Sequence, residues 1–188
     1  MNNRFRVSST LPRKLEELGI SPDTVLRQAG LPTGLFKLER ILVSTEEFFA
    51  LYRGIAEASN DPASGLKLGT EERVERYDPI KLAALSARSF RDAIERSARH
   101  KQLTCPEKIR LLERGDECAI KFVWLLAHEQ EPPLLVDVCF AWILTLDSEV
   151  LDGRYVPRES SSNALSRIAK CMRHISAAQQ SSRPRKMR

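Results

Sequence analysis

Catalytic and cofactor signatures are missing from this chain of 188 residues. Its three histidines, His100, His128 and His174, have no partner at metal-ligand spacing. There is no H-E-x-x-H, G-x-S-x-G, Walker loop or G-x-G-x-x-G. These absences remove the common zinc, nucleophile and phosphate-cradling machinery, so the chain reads as a non-enzyme with no metal and no cofactor. Its four cysteines, Cys105, Cys118, Cys139 and Cys171, are widely spaced and form no C-x-x-C. They read as reduced thiols with packing roles. No run of about 18 apolar residues exists, since Lys121 breaks the stretch 119–127 and Asp137 breaks 134–146, so no membrane span is expected. The opening Met1-Asn2-Asn3-Arg4-Phe5-Arg6 leads into no apolar segment of the secretory type, and the expected compartment is the cytoplasm.

Charge is unevenly distributed. Residues 1–153 carry a net of −3 and residues 154–188 a net of +8, with Glu159 the one acid in the latter. The overall surplus of +5 is therefore a property of the tail, and the body is an ordinary, slightly acidic globular segment. A boundary near Arg158 is expected, with one domain over 1–158 and a basic tail over 159–188.

The first half reads as short helices with clear punctuation. Pro12 opens one that carries Leu15 and Leu18 and closes at Gly19; Ser21-Pro22-Asp23 starts a second, with Val25, Leu26 and Ala29 inward and Gly30 at its end. Ser44-Thr45-Glu46-Glu47 is a capping box ahead of a helix with a Phe48, Leu51, Tyr52, Ile55, Ala58 stripe. Asp61-Pro62 begins a short segment with Leu66 and Leu68. A charged stretch over 71–78 follows, in which Tyr77 is either an exposed loop residue or a pocket lid. Pro79–Ala87 reads as an apolar helix, and Ser89 caps the next, with Phe90, Ala93, Ile94 and Ser97 inward and Arg91, Glu95, Arg96 and Arg99 outward.

The period then changes to two. Ile109–Glu113 and Cys118–Trp124 read as strands joined through Arg114-Gly115-Asp116-Glu117, a tight-hairpin turn. Cys118, Ile120, Phe122 and Trp124 share the core face; Ala119, Val123 and Leu125 make the other face apolar enough to be covered too. Pro132 and Pro133 open the most apolar helix, Leu134 to about Val150, whose stripe of Leu135, Val138, Cys139, Trp142 and Leu146 suits a core or a subunit interface. The expected fold is α+β: a helical N-terminal half packed with a small antiparallel hairpin or sheet and a long apolar helix.

Several stretches together resemble a known family. They are 20–31 (Ile20-Ser21-Pro22-Asp23-Thr24-Val25-Leu26-Arg27-Gln28-Ala29-Gly30-Leu31), 61–69, 89–100, and the hairpin with its Pro-Pro helix. Their order and spacing resemble the N-terminal, arabinose-binding-like sensor domain of AraC-type transcription regulators, over about residues 8–157. The resemblance implies a small-molecule effector, a homodimer, and DNA contact only through a C-terminal helix-turn-helix domain. After Pro157-Arg158 this chain departs from the family, which would continue with further sheet strands and the DNA-binding domain. The expectation is thus a sensing and dimerisation portion truncated before its DNA-binding half. If those strands are lacking, the sheet exposes an edge.

Three readings of the tail stay open: an out-of-frame stretch, an extra amphipathic helix over 163–180 with Leu165, Ile168, Met172 and Ile175 on one side, or a basic arm for nucleic acid. The last gives the alternative function, a stand-alone nucleic-acid-binding protein. Candidate ligand contacts are Phe122, Trp124 and Trp142, between the hairpin face and the apolar helix, with Arg99 and His100 at the rim. Both tryptophans also read as core residues, and His100 as a structural residue at a helix end. His128, beside Glu129 and Glu131, reads as a solvated loop rather than a metal site. The candidate dimer interface is Leu135, Val138, Trp142 and Leu146.

Overall fold

The computed structural model describes residues 3–70, 79–114 and 117–152. The element order is β1 (Phe5–Val7), α1 (Leu11–Glu17), α2 (Pro22–Gln28), β2 (Ile41–Val43), α3 (Thr45–Ala58), α4 (Ser64–Gly69), α5 (Pro79–Leu85), α6 (Phe90–Thr104), β3 (Glu107–Arg114), β4 (Glu117–Trp124) and α7 (Pro133–Asp152), with one 3-10 turn at Leu35–Lys37. The fold is α+β, with helices around two separate two-stranded antiparallel sheets.

Local chemistry sets the helix ends. Gly19 and Gly30 adopt φ of +73° and +65°, the left-handed geometry that stops a helix at small cost only for glycine. Ser21 accepts from the Thr24 amide at the start of α2. At α3 the capping box is complete: Ser44 Oγ accepts from the Glu47 amide at 3.2 Å, and Glu47 accepts from the Ser44 amide at 2.7 Å. Ser44→Ala is expected to cost about 1 kcal/mol, read as a melting temperature lower by about 2–4 °C in a circular-dichroism scan. An unchanged midpoint would show that the cap contributes nothing here.

Two elements were not expected. β1 pairs with β2 in the register Phe5↔Val43, Arg6↔Leu42, Val7↔Ile41. Phe5, Val7, Ile41 and Val43 are buried, so this miniature sheet closes the N-terminal core over α2 and α3. On α3, Leu51 and Ile55 are fully buried as the stripe predicts, but so is Phe49, outside that stripe.

The hairpin forms with β3 starting two residues earlier than expected. Its register runs from Glu107↔Trp124 through Ile109↔Phe122 and Leu111↔Ile120 to Arg114↔Glu117. One face therefore carries Glu107, Ile109, Leu111, Ile120, Phe122 and Trp124. The opposite face is covered only in part: Ala119, Val123 and Leu125 are half-buried, while Arg110, Leu112 and Lys121 are exposed, Leu112 at 51 %. Charged residues on that face keep it wetted despite Ala119 and Val123. The turn residues Gly115 and Asp116 lie outside the described residues, as do Tyr77 with the charged stretch 71–78, Cys171, His174, the expected boundary at Arg158 and all tail readings.

Two core clusters result, and α7 walls both. Leu134 and Val138 join the first, with the N-terminal sheet, α1, α2, α3 and Trp124. Trp142 and Leu146 join the second, with α5, α6, Ile109, Leu111, Ile120 and Phe122. The helix α4 lies against α7 through glycine: a Cβ on Gly65 would sit 2.7 Å from Asp137 Cβ and 2.9 Å from Leu134 O. One on Gly69 would collide with Val138 O and lie 2.6 Å from Ala141 Cβ.

This arrangement engages the residues of the expected interface within the chain to different degrees. Leu135 and Leu146 are 2 % and 0 % exposed within the single chain, so they offer no surface to a partner; Val138 and Trp142 are half-buried in the two cores. The stripe packs within the chain, and among the described residues of α7 Val136 is a large apolar residue that faces outward.

Candidate functional site

The five candidate ligand contacts are divided by the fold. Trp124 belongs to the first core cluster, where it meets Phe5 at 5.7 Å, Phe48 at 6.1 Å and Phe49 edge-on at 5.4 Å between ring centroids. Phe5 and Phe48 stack at 4.4 Å. Phe122 and Trp142 pack into the second cluster. The hairpin face is thus shared between two cores, with Trp124 in one and Phe122 and Trp142 in the other. His100 is half-buried on α6, with its Nδ1 buried and without a hydrogen-bond partner.

Of the five, Arg99 borders an opening. With Glu95 and Ala98 of α6 and Ile109 and Leu111 of β3 it lines a shallow depression of about 270 Å³. A second depression, of about 410 Å³, lies between the α3–α4 connection and the start of α7, lined among others by Ser59, Asn60, Asp61, Ser64 and Asp137. There Asp61 is held low by the Lys67 ammonium, 2.7 Å away, and by the Ala63 amide, whereas burial pushes Asp137 up.

Beside the first core lies a buried polar cluster. Lys101 Nζ of α6 donates to Glu107 Oε2 of β3 at 2.6 Å, and the Glu107 side chain is fully buried. Glu107 Oε1 has no partner, nor does the buried Nε1 of Trp124, its cross-strand neighbour. Cys105 Sγ bonds Lys101 O at 3.4 Å and lies 3.9 Å from Glu107 Oε2. Burial is the largest influence on Lys101 and works to lower it, but Glu107, by charge and hydrogen bond, together with Cys105 and Cys139 holds the ammonium above the ordinary lysine value. Burial raises the Tyr52 hydroxyl, with the neighbouring Cys139 and Glu107 adding to it. Burial, aided by Glu107, pushes the Cys139 thiol up to about 12, and burial also raises Cys105.

Thiols so disposed are not nucleophiles at neutral pH. Peptide-resolved alkylation at pH 8 is expected to leave Cys105 and Cys139 unmodified in the native protein and to label both in denaturant. Fast native labelling of Cys139 would contradict its position.

Residues 19–161 match the family model described as the arabinose-binding domain of AraC transcription regulators, N-terminal. The chain belongs to that family. A comparison with curated proteins gives no match. The arabinose-binding domain is a sensing and regulatory module, and its match begins just before α2 and runs past α7. Among the described residues no helix of this domain is long and apolar enough to cross a membrane.

Sequence reasoning missed Glu95, Lys101 and Glu107. Glu107 was legible in principle: extended back by two residues, the alternation of β3 puts it in line with Ile109 and Leu111, on the buried face. Lys101 carries no such signal, because its partner is made by the turn from α6 into β3.

Proposed function

We propose that this chain is the effector-sensing and dimerisation portion of an AraC-type regulator, working in the cytoplasm, with its sensor domain ending near Arg158 and DNA recognition residing in a helix-turn-helix domain outside residues 1–188. The family match over 19–161 carries this reading. The two-core architecture supports it: α7 contributes to both cores and a buried ion pair ties α6 to β3, so a small molecule that shifts one of these elements would be felt by the others. The role proposed is regulatory rather than catalytic.

Sedimentation and operator binding test the proposal together. The purified chain is expected to form a reversible dimer and to give no sequence-selective binding to operator DNA in fluorescence anisotropy. A monomer at all concentrations overturns the dimerisation part; tight selective DNA binding overturns the assignment of recognition to another domain. Salt-dependent, non-selective binding that disappears on truncation at Arg158 would instead favour the basic tail as a nucleic-acid arm.

A further inference from the structure

The depression between α6 and β3 has a particular charge layout. One turn earlier on α6, Asp92 and Arg96 stand four residues apart and close an ion pair at 2.9 Å. Glu95 and Arg99 have the same spacing and the same favourable order. Yet among the described residues the Glu95 side chain makes no hydrogen bond or ion pair, and that of Arg99 acts only at a distance, on Asp92. Both residues border the depression, whose remaining lining is the aliphatic set Ala98, Ile109 and Leu111. An acid and a base bordering one space with an aliphatic lining present complementary ends to a ligand carrying both charges.

We propose that this depression binds a small zwitterion of the aliphatic α-amino-acid class, its carboxylate on Arg99, its ammonium on Glu95 and its hydrocarbon body on Ala98, Ile109 and Leu111. A planar guanidinium suits a carboxylate bidentately. The volume of about 270 Å³ lies just below the usual range for drug-sized ligands, which suits a molecule of amino-acid size and is too small for a nucleotide. Ile109 is shared with the second core cluster, so a body pressed on this lining touches a residue packed against α7 elements. This inference deepens the sensing role proposed above and rests on it only for its biological meaning; the binding itself stands apart.

Saturation-transfer NMR on the full chain tests the proposal with L-leucine, 4-methylpentanoate, which lacks the ammonium, and 3-methylbutylamine, which lacks the carboxylate. Leucine is expected to bind, and each analogue to bind at least about tenfold more weakly, for the loss of one charge-assisted contact. Arg99→Leu and Glu95→Gln should each weaken leucine by a similar factor with an unchanged melting curve, since both side chains are exposed. No leucine signal at millimolar concentration, or equal binding by the variants, overturns the proposal. Arg99-dependent binding of 4-methylpentanoate without leucine overturns the zwitterion and makes this a monocarboxylate site, leaving the sensing role intact. Leucine binding that never alters the sedimentation of the dimer supports the site and counts against the sensing role.

Discussion

Lys101→Met is expected to lower stability by about 3 kcal/mol, the low end for breaking a buried ion pair, and so to reduce the melting temperature by about 6–12 °C. The low end applies because the Lys101 side chain keeps 23 % of its exposure while that of Glu107 has none. The loss comes less from the missing attraction than from a carboxylate left in the interior with only the weak Cys105 thiol contact to Oε2, since Glu107 Oε1 already lacks a partner. Lys101→Met combined with Glu107→Leu should recover much of the deficit, because two apolar groups leave no charge to strand. The pH dependence has a definite sign. The folded protein raises Lys101 above its unfolded value, so this stabilisation is complete below the ordinary lysine range and is lost as pH rises through the folded value. Melting curves of wild type and Lys101→Met should therefore stay apart through neutral pH and converge only under strongly alkaline conditions. Single and double variants with equal midpoints would show that the pair is solvated and contributes nothing.

Gly69→Ala is expected to cost about 2 kcal/mol, within the range of overpacked cores, even though alanine is the better helix former. The added methyl meets the Val138 carbonyl and Ala141 Cβ across the α4–α7 contact. Backbone of a buried helix cannot rotate aside as a side-chain tip can, so α4 must lift off α7. Gly34→Ala is the matched comparison. Its added methyl meets nothing within 4 Å and its φ of −86° suits any residue, so it should be neutral or stabilising by about 0.4–1 kcal/mol through the unfolded chain. Chemical denaturation of the two variants side by side separates close packing from backbone entropy. Equal midpoints would mean that α4 can shift freely on α7.

Much of the helical scaffold is legible before any coordinates, because its signals are local. A capping serine with its glutamate three residues on, a proline in the first turn and a terminal glycine each act within one turn, as Ser44, Glu47, Pro22, Gly19 and Gly30 do. The hairpin is legible for the same reason, its partners being adjacent in sequence. β1 and β2 are not: each has three residues, and the pairing of Phe5 with Val43 spans the whole of α1 and α2 in sequence. The roles of Gly65 and Gly69 are likewise set by a helix nearly 70 residues downstream. The candidate site divides along the same line. Arg99 could be placed on the outer face of α6 from periodicity, and it borders an opening. Phe122, Trp124 and Trp142 share an apolar character that periodicity cannot resolve into pocket wall or core, and α7 with the aromatic residues of α3 decides for core. Phe49 lies outside the stripe because α3 is enclosed on more than one side, by the N-terminal sheet and by Trp124.

The separation of the two tryptophans gives the molecule a pair of built-in optical reporters. Trp124 sits among Phe5, Phe48 and Phe49 in one core, and Trp142 beside Phe122 in the other. The chain contains no other indole. Emission from a Trp142→Phe protein therefore follows the half built from the N-terminal segment, and emission from a Trp124→Phe protein follows the half built on α5 and α6. Because α7 spans both, the two signals should fade together on heating if that helix welds the halves into one cooperative unit, and apart if it serves as a hinge between them.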